Sequence, residues 1–131
     1  MVMLDTNICI YVLKAHPMSV LKKFESVQDL HISSIVYAEL WSGIEKSPTK
    51  VKALRKNELL AFLSLLIIHN WDKEAAKEYA KQHTELKKQG MMIGNMDLLI
   101  ASHAKSLDAT LVTNNIHEFE RIKGLAVENW I

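Results

Sequence analysis

Val2-Met3-Leu4-Asp5-Thr6-Asn7 joins an unbroken apolar triplet to an unbroken polar one. An apolar run without alternation is buried on both faces, as strands of parallel sheets are. The polar triplet then lies just past the carboxyl end of that strand. Ile8, Tyr11 and Val12 recur at helical spacing, so a helix comes next. Pro17 is placed to open a second helix running to about Ser26. Further strands are expected at Leu30-His31-Ile32-Ser33, Leu65-Leu66-Ile67-Ile68 and Ala109-Thr110-Leu111-Val112, with a last edge strand around Val127 and Trp130. Strands alternating with helices specify an α/β layer fold with a mostly parallel sheet, in one domain over residues 1–131.

The helices between these strands have their own signals. Ser33 or Ser34 can cap a helix from Ile35 to Lys46, and Ser47-Pro48-Thr49 breaks the chain after it. A helix through Leu63 follows. Asp72 reads as the N-cap of a long helix to Lys88, with Lys73, Glu74, Lys77, Glu78, Lys81 and Glu85 on a solvated face and Gly90 as its stop. In Ile93-Gly94-Asn95-Met96-Asp97-Leu98-Leu99-Ile100-Ala101-Ser102-His103-Ala104, Gly94 frees the turn and Asn95 is the expected N-cap. Asp97 heads a column completed by Ile100, Ala101 and Ala104. A short helical turn with Glu118, Phe119 and Glu120 comes after Thr113-Asn114-Asn115.

Composition narrows the classes of function. With 131 residues the chain can bury one real core. Apolar residues are 49% and charged residues 24%, the balance of a soluble globular protein. The net charge is +1, so any nucleic-acid contact must come from a local patch. Lys46, Lys50, Lys52, Arg55 and Lys56 form the most basic window, which reads either as a solvated face or as a phosphate-backbone contact. Cys9 is alone, which excludes an intrachain disulfide, suits a reducing cytoplasm and marks a small buried hydrophobe. Asp5 comes too early for a signal peptide, and the greasy run from Leu59 to Ile68 is too short to span a bilayer.

In parallel sheets ligands bind outside the carboxyl ends of the strands. Two strand ends here are polar, Asp5-Thr6-Asn7 and Thr113-Asn114-Asn115, and adjacent strands would place both at one pocket. Glu39 is the only charge in Ile35-Val36-Tyr37-Ala38-Glu39-Leu40-Trp41. If Asp5, Glu39 and Asp97 converge, with Glu118 or Glu120 at the rim, they cannot all stay ionised unaided. Two carboxylates 5 Å apart repel by roughly 3 kcal/mol at an effective dielectric near 20. Oxygen-only ligands select hard ions, so Mg²⁺ or Mn²⁺ is implied, and such sites act on phosphate esters. Each acid also has a bland reading: Asp97 as a first-turn acid and Glu39 as solvated surface. There is no Walker loop, no Gly-x-Gly-x-x-Gly and no Cys-x-x-Cys. His69, His83, His103 and His117 lack zinc spacing, and His103 reads as a packing residue.

Four motifs in order, Met3-Leu4-Asp5-Thr6-Asn7, Ser33-Ser34-Ile35 leading to Ala38-Glu39-Leu40, Ile93-Gly94 through Asp97-Leu98-Leu99-Ile100-Ala101, and Val112-Thr113-Asn114-Asn115 before Glu118-Phe119, resemble the PIN-domain ribonucleases. The resemblance is to the VapC-type toxins of bacterial toxin–antitoxin pairs and covers essentially the whole chain. It implies an α/β/α sandwich and Mg²⁺- or Mn²⁺-dependent hydrolysis of RNA by an activated water, leaving 3′-hydroxyl and 5′-phosphate ends. The metal ligands it implies are Asp5 and Asp97, with Glu39 as third acid and Glu118 as the acid beside Phe119. The family often has an Asp where this chain has Asn115, a departure that leaves an amide to orient water or phosphate. Thr6 and Thr113 would hold the carboxylates and water by hydrogen bonds. The resemblance further implies structured RNA as substrate, a tRNA anticodon loop above all or else a ribosomal RNA loop, and a homodimer. Its partner would be a VapB-type antitoxin whose tail enters the acidic groove and through which the complex reaches operator DNA.

Two other readings compete. Asn115 is the feature that favours a non-catalytic binding module with a degraded site. An Asp after the first strand also suits a phosphohydrolase or a receiver domain. A receiver needs an acid just before that Asp and a Lys after a late strand, whereas Met3-Leu4 and Thr113-Asn114-Asn115 stand in those places.

Overall fold

Val2–Leu4 forms β1, the middle strand of a five-stranded, all-parallel sheet in the computed structural model, which describes residues 1–131. Met3 and Leu4 are fully enclosed, as an apolar run without alternation requires. In chain order, α1 (Thr6–Ala15) and α2 (Met18–Ser26) lead to β2 (Leu30–Ser33). Helices α3 (Ser34–Glu45) and α4 (Thr49–Leu63) lead to β3 (Leu66–His69), and α5 (Lys73–Gln89) and α6 (Asn95–Ser106) to β4 (Thr110–Val112). The short α7 (Ile116–Phe119) and β5 (Ala126–Glu128) complete the fold.

The strand order is β3-β2-β1-β4-β5. From β1 the chain moves outward to β2 and β3, then crosses back to β4 on the other side of β1. Right-handed crossovers running in opposite directions put helices on both faces of the sheet. The reversal also opens a crevice at the carboxyl ends of β1 and β4, the topological switch point at which such sheets bind ligands. Strand ends, helix starts and the candidate site all meet there.

One apolar cluster holds the layers together. Ile32, Leu111 and Val112 from the sheet pack with Ile8, Leu98, Ile100, Ala101 and Phe119 from the helices, all fully buried. Fully burying one such large side chain contributes about 1.5–3 kcal/mol. No helix is long and apolar enough to cross a membrane.

Hydrogen bonds and packing correct some local expectations and decide between the alternatives of another. Gly94, not Asn95, occupies the N-cap of α6 and supplies no side-chain cap. Asn95 Oδ1 instead accepts from the Tyr79 hydroxyl at 3.1 Å, so its capping oxygen is committed to α5. Ser33 rather than Ser34 caps α3, accepting from the Ile35 N–H at 3.1 Å. Ser34 is used elsewhere, accepting from the Trp71 N–H at 3.0 Å. Strand β3 begins at Leu66, since Leu65 N–H still bonds back to Phe62 O at 3.1 Å in a helical turn. The last strand stops at Glu128, and Trp130 packs on Phe24 with ring centroids 6.0 Å apart.

Candidate active site

Asp5 comes directly after β1 and is buried, with 1% of its surface exposed. One carboxylate oxygen, Oδ1, accepts from the Thr6 N–H at 2.7 Å and so caps α1. The other, Oδ2, accepts from the Thr113 hydroxyl at 2.8 Å. Thr113 comes directly after β4, and its Oγ1 in turn accepts from the Asn115 N–H at 2.9 Å. Adjacent strand ends are thus tied through one carboxylate. Burial still raises the pKa of Asp5 above the usual carboxylate range; the two hydrogen bonds oppose the rise, and the charges of Glu39 and Glu118 add to it.

Glu39 comes from α3 and is held by the Thr6 hydroxyl, which donates to Oε1 at 2.6 Å. Glu118 comes from α7. Its Oε1 accepts from the Gly94 N–H at 3.1 Å and its Oε2 from the Asn115 amide. These two donors, Gly94 first, hold Glu118 below the usual carboxylate range. Asp97, in the first turn of α6, differs from the other three. No side chain or backbone group donates to it, and it belongs to none of the protein's ion pairs. Burial, followed by the charges of Asp5, Glu118 and Glu39, pushes it up to about 6.

Gly94 lies beside two of the carboxylates. A β-carbon there would lie 3.4 Å from Asp97 Oδ2 and 3.9 Å from Glu118 Oε1. The protein's ion pairs, Lys52–Glu45, Lys77–Glu74 and Lys105–Glu78, all lie elsewhere. Arg121 is the one cation whose charge bears on the pocket, through Glu118, and its guanidinium is bonded to Met92 O at 2.8 Å. Four carboxylates therefore share a pocket with no side-chain cation ion-paired to any of them. An all-oxygen donor set of this charge suits a hard divalent ion. No three of the acids stand close enough together to enclose an ion by themselves. That matches the way Mg²⁺ is held, by one or two carboxylates with water filling the remaining positions.

Most of the residues singled out in the sequence meet at this pocket. Asp5, Glu39, Asp97 and Glu118 surround it, each acting on another through space. Thr6, Thr113 and Asn115 each donate to one of them. The Asn115 amide is spent on Glu118 rather than facing the pocket unpaired. Glu120 is exposed and contributes to the charge on neither Asp5 nor Asp97. The basic window straddles the end of α3 and the start of α4, where Lys46, Lys50, Arg55 and Lys56 are exposed and Lys52 pairs with Glu45 at 3.5 Å. Sequence reasoning missed the Gly94 N–H as a donor to the site. Its signal was present: a glycine just ahead of a helix start offers an unpaired N–H and no β-carbon.

The PIN domain profile matches residues 2–125. The chain belongs to the PIN-domain family. This PIN domain is 48% identical over 131 residues to Ribonuclease VapC2 of Rickettsia felis, covering 98% of this chain and 96% of that protein. It is 41% identical over 129 residues to the tRNA(fMet)-specific endonuclease VapC of Shigella flexneri, covering 98% and 96%. Its fold matches a chain in the crystal structure of VapBC2 from Rickettsia felis bound to a promoter DNA fragment, with TM-score 0.94 and 46% identity over 99% of this chain and 98% of that one. A DNA-bound VapBC from Salmonella typhimurium matches with TM-score 0.94 at 37% identity, with the same coverage. The five-stranded parallel sheet is therefore the PIN architecture.

Proposed function

We propose that this PIN domain is the ribonuclease toxin of a toxin–antitoxin pair and cleaves RNA phosphodiester bonds with the help of Mg²⁺ or Mn²⁺. The observation that carries the proposal is the pocket of four carboxylates, Asp5, Glu39, Asp97 and Glu118, with no cation of its own at the sheet's switch point. VapC relatives named ribonuclease or endonuclease support it.

Asp97 is the acid with no donor of its own, so both of its oxygens are free to ligate. Asp5 is the second ligand, fixed in position by Thr6 and Thr113 on opposite oxygens. Glu39 and Glu118 stand at the sides, held by Thr6 and by Gly94 and Asn115. A bound divalent ion supplies neutralisation of charge at the phosphate and a more acidic water. The donors around the carboxylates fix them before substrate arrives, which removes reorganisation from the reaction. A phosphate entering the pocket without an ion would meet four acids and be repelled.

The substrate we favour is a structured RNA with an accessible single-stranded loop, a tRNA anticodon loop in particular. Splayed loop nucleotides are the ones that can reach into a pocket at the carboxyl ends of the strands. The name of the Shigella flexneri relative, tRNA(fMet)-specific, points the same way. The partner we favour is a VapB-type antitoxin, since the structural relatives are VapBC complexes. Contact with operator DNA would come through that antitoxin, because a chain of net charge +1 has little attraction for DNA as a whole. A homodimer of this chain within the complex is part of the same reading.

The test is cleavage of total tRNA by the purified protein. Activity that disappears with EDTA, returns with Mg²⁺ or Mn²⁺, and is missing from a folded Asp5→Asn variant supports the proposal. Undiminished cleavage in EDTA, or by Asp5→Asn, contradicts it.

A further inference from the structure

Three histidines that are far apart in sequence meet on the outer part of the sheet. His31 lies on β2, His69 ends β3 and His103 lies on α6. Pairing of β2 with β3 sets Ser33 opposite His69 and His31 opposite Ile67. The rings of His31 and His69 then face each other with centroids 5.0 Å apart and planes 35° apart. His31 Nδ1 and His69 Nε2 are 2.8 Å apart. Only one hydrogen fits between them, so one ring donates it and the other accepts.

His103 completes the surroundings without joining the pair. Its ring stands edge-on to His69 at 6.3 Å, and its Nδ1 is committed to Ser33 Oγ at 2.7 Å. The charges bearing on the group are Asp29 and the Met1 amine at His31, and Asp72 at His103. His31 and His69 are both half-buried, so small ions can reach them from solvent. The carboxylate pocket is at the β1–β4 crevice, whereas this pair bridges β2 to the edge strand β3.

We infer that His31 and His69 form a two-imidazole site for a borderline divalent transition-metal ion, with Zn²⁺ as its representative. Imidazole nitrogens are preferred donors of such ions and poor donors for Mg²⁺, and here two of them lie 2.8 Å apart. With metal–nitrogen bonds of about 2.0–2.1 Å and tetrahedral angles, the two nitrogens need to be about 3.3 Å apart. The nitrogens must separate by about 0.5 Å, a small side-chain rotation at two half-buried positions. The ion takes the place of the shared hydrogen, and the ring that carried that hydrogen is protonated at its other nitrogen instead, so both imidazoles ligate in the neutral form. No third His, Cys, Asp or Glu reaches the same point, so the remaining coordination positions are open to water or to an outside ligand. An ion held there cross-links the edge strand to its neighbour and stabilises a part of the sheet that has pairing on one side only.

The experiment uses the full chain carrying Asp97→Asn, which removes an acid of the carboxylate pocket, in buffer with excess Mg²⁺. ZnCl₂ is titrated while thermal unfolding and the histidine ring resonances are followed. The expected result is a saturable rise in Tm at one ion per chain, with the His31 and His69 ring signals moving together. His31→Gln and His69→Gln should each weaken zinc binding about tenfold or more, while His83→Gln leaves it unchanged. Far-UV circular dichroism of each variant shows that the fold is kept. Zinc binding that survives both His31→Gln and His69→Gln overturns the inference. So do ring signals of His31 and His69 that respond to pH and stay still on addition of zinc.

Discussion

The Thr113 hydroxyl donates to Asp5 Oδ2 at 2.8 Å, tying the ends of two neighbouring parallel strands through a buried carboxylate. The same carboxylate caps α1 with its other oxygen. Asp5 can therefore neither rotate nor retreat, and its orientation toward the pocket is set by β1, β4 and α1 together.

Thr113→Val keeps the shape of the side chain and removes the donor. RNA cleavage should fall by about 10–100-fold, the usual effect of losing a partner that orients a metal ligand. The folded state should lose about 1–2 kcal/mol, because the partner left behind is buried. Thr113→Ser should retain most of the activity. Initial cleavage rates beside urea unfolding curves check both effects.

Asp97 makes a prediction about pH. Its folded value of about 6 lies above the ordinary 3.8, so between these values the folded chain holds a proton that the unfolded chain has lost. Stability from this group therefore falls as pH rises through that window, and above it the ionised carboxylate opposes folding. In EDTA, Asp97→Asn should be more stable than the unaltered protein at pH 8, and the gap should close as pH falls below about 4. Tm measured on both proteins across pH 4 to 8 tests the sign.

Glu118 and Glu120 are separated by the same logic. Glu118 bonds to the Gly94 N–H and the Asn115 amide at the pocket, whereas Glu120 faces solvent. Glu118→Gln should lower cleavage by about tenfold or more, and Glu120→Gln should leave it unchanged. Parallel rate measurements with Mn²⁺ decide between them.

Much of this arrangement is legible in the sequence, and the rest is hidden for definable reasons. Strand β1 is an unbroken apolar run and shows itself as a parallel strand that way, while β2 and β4 are short segments carried by Leu30 and Ile32 and by Leu111 and Val112. Asp5 is marked by its place after such a run, Glu39 by being the lone charge in an apolar helix, and Asp97 by heading an apolar column. Local patterns carry that information. Asn95 misleads because its partner, Tyr79, is on another helix, and a capping preference cannot compete with a tertiary hydrogen bond it does not contain. The tie from Gly94 to Glu118 and the facing of His31 and His69 depend on strand order and register, which periodicity along the chain does not encode. Histidines that look scattered along the chain meet only once β2 and β3 are aligned.

Calorimetric titration of Mn²⁺ into the metal-stripped protein at pH 7.5 is the most direct test of whether the carboxylate pocket is built for a divalent ion. The unaltered chain should bind with a defined stoichiometry. Asp97→Asn should weaken that binding by at least about tenfold, or about 1.4 kcal/mol, with the fold intact. Equal Mn²⁺ affinity in the two proteins would contradict the account.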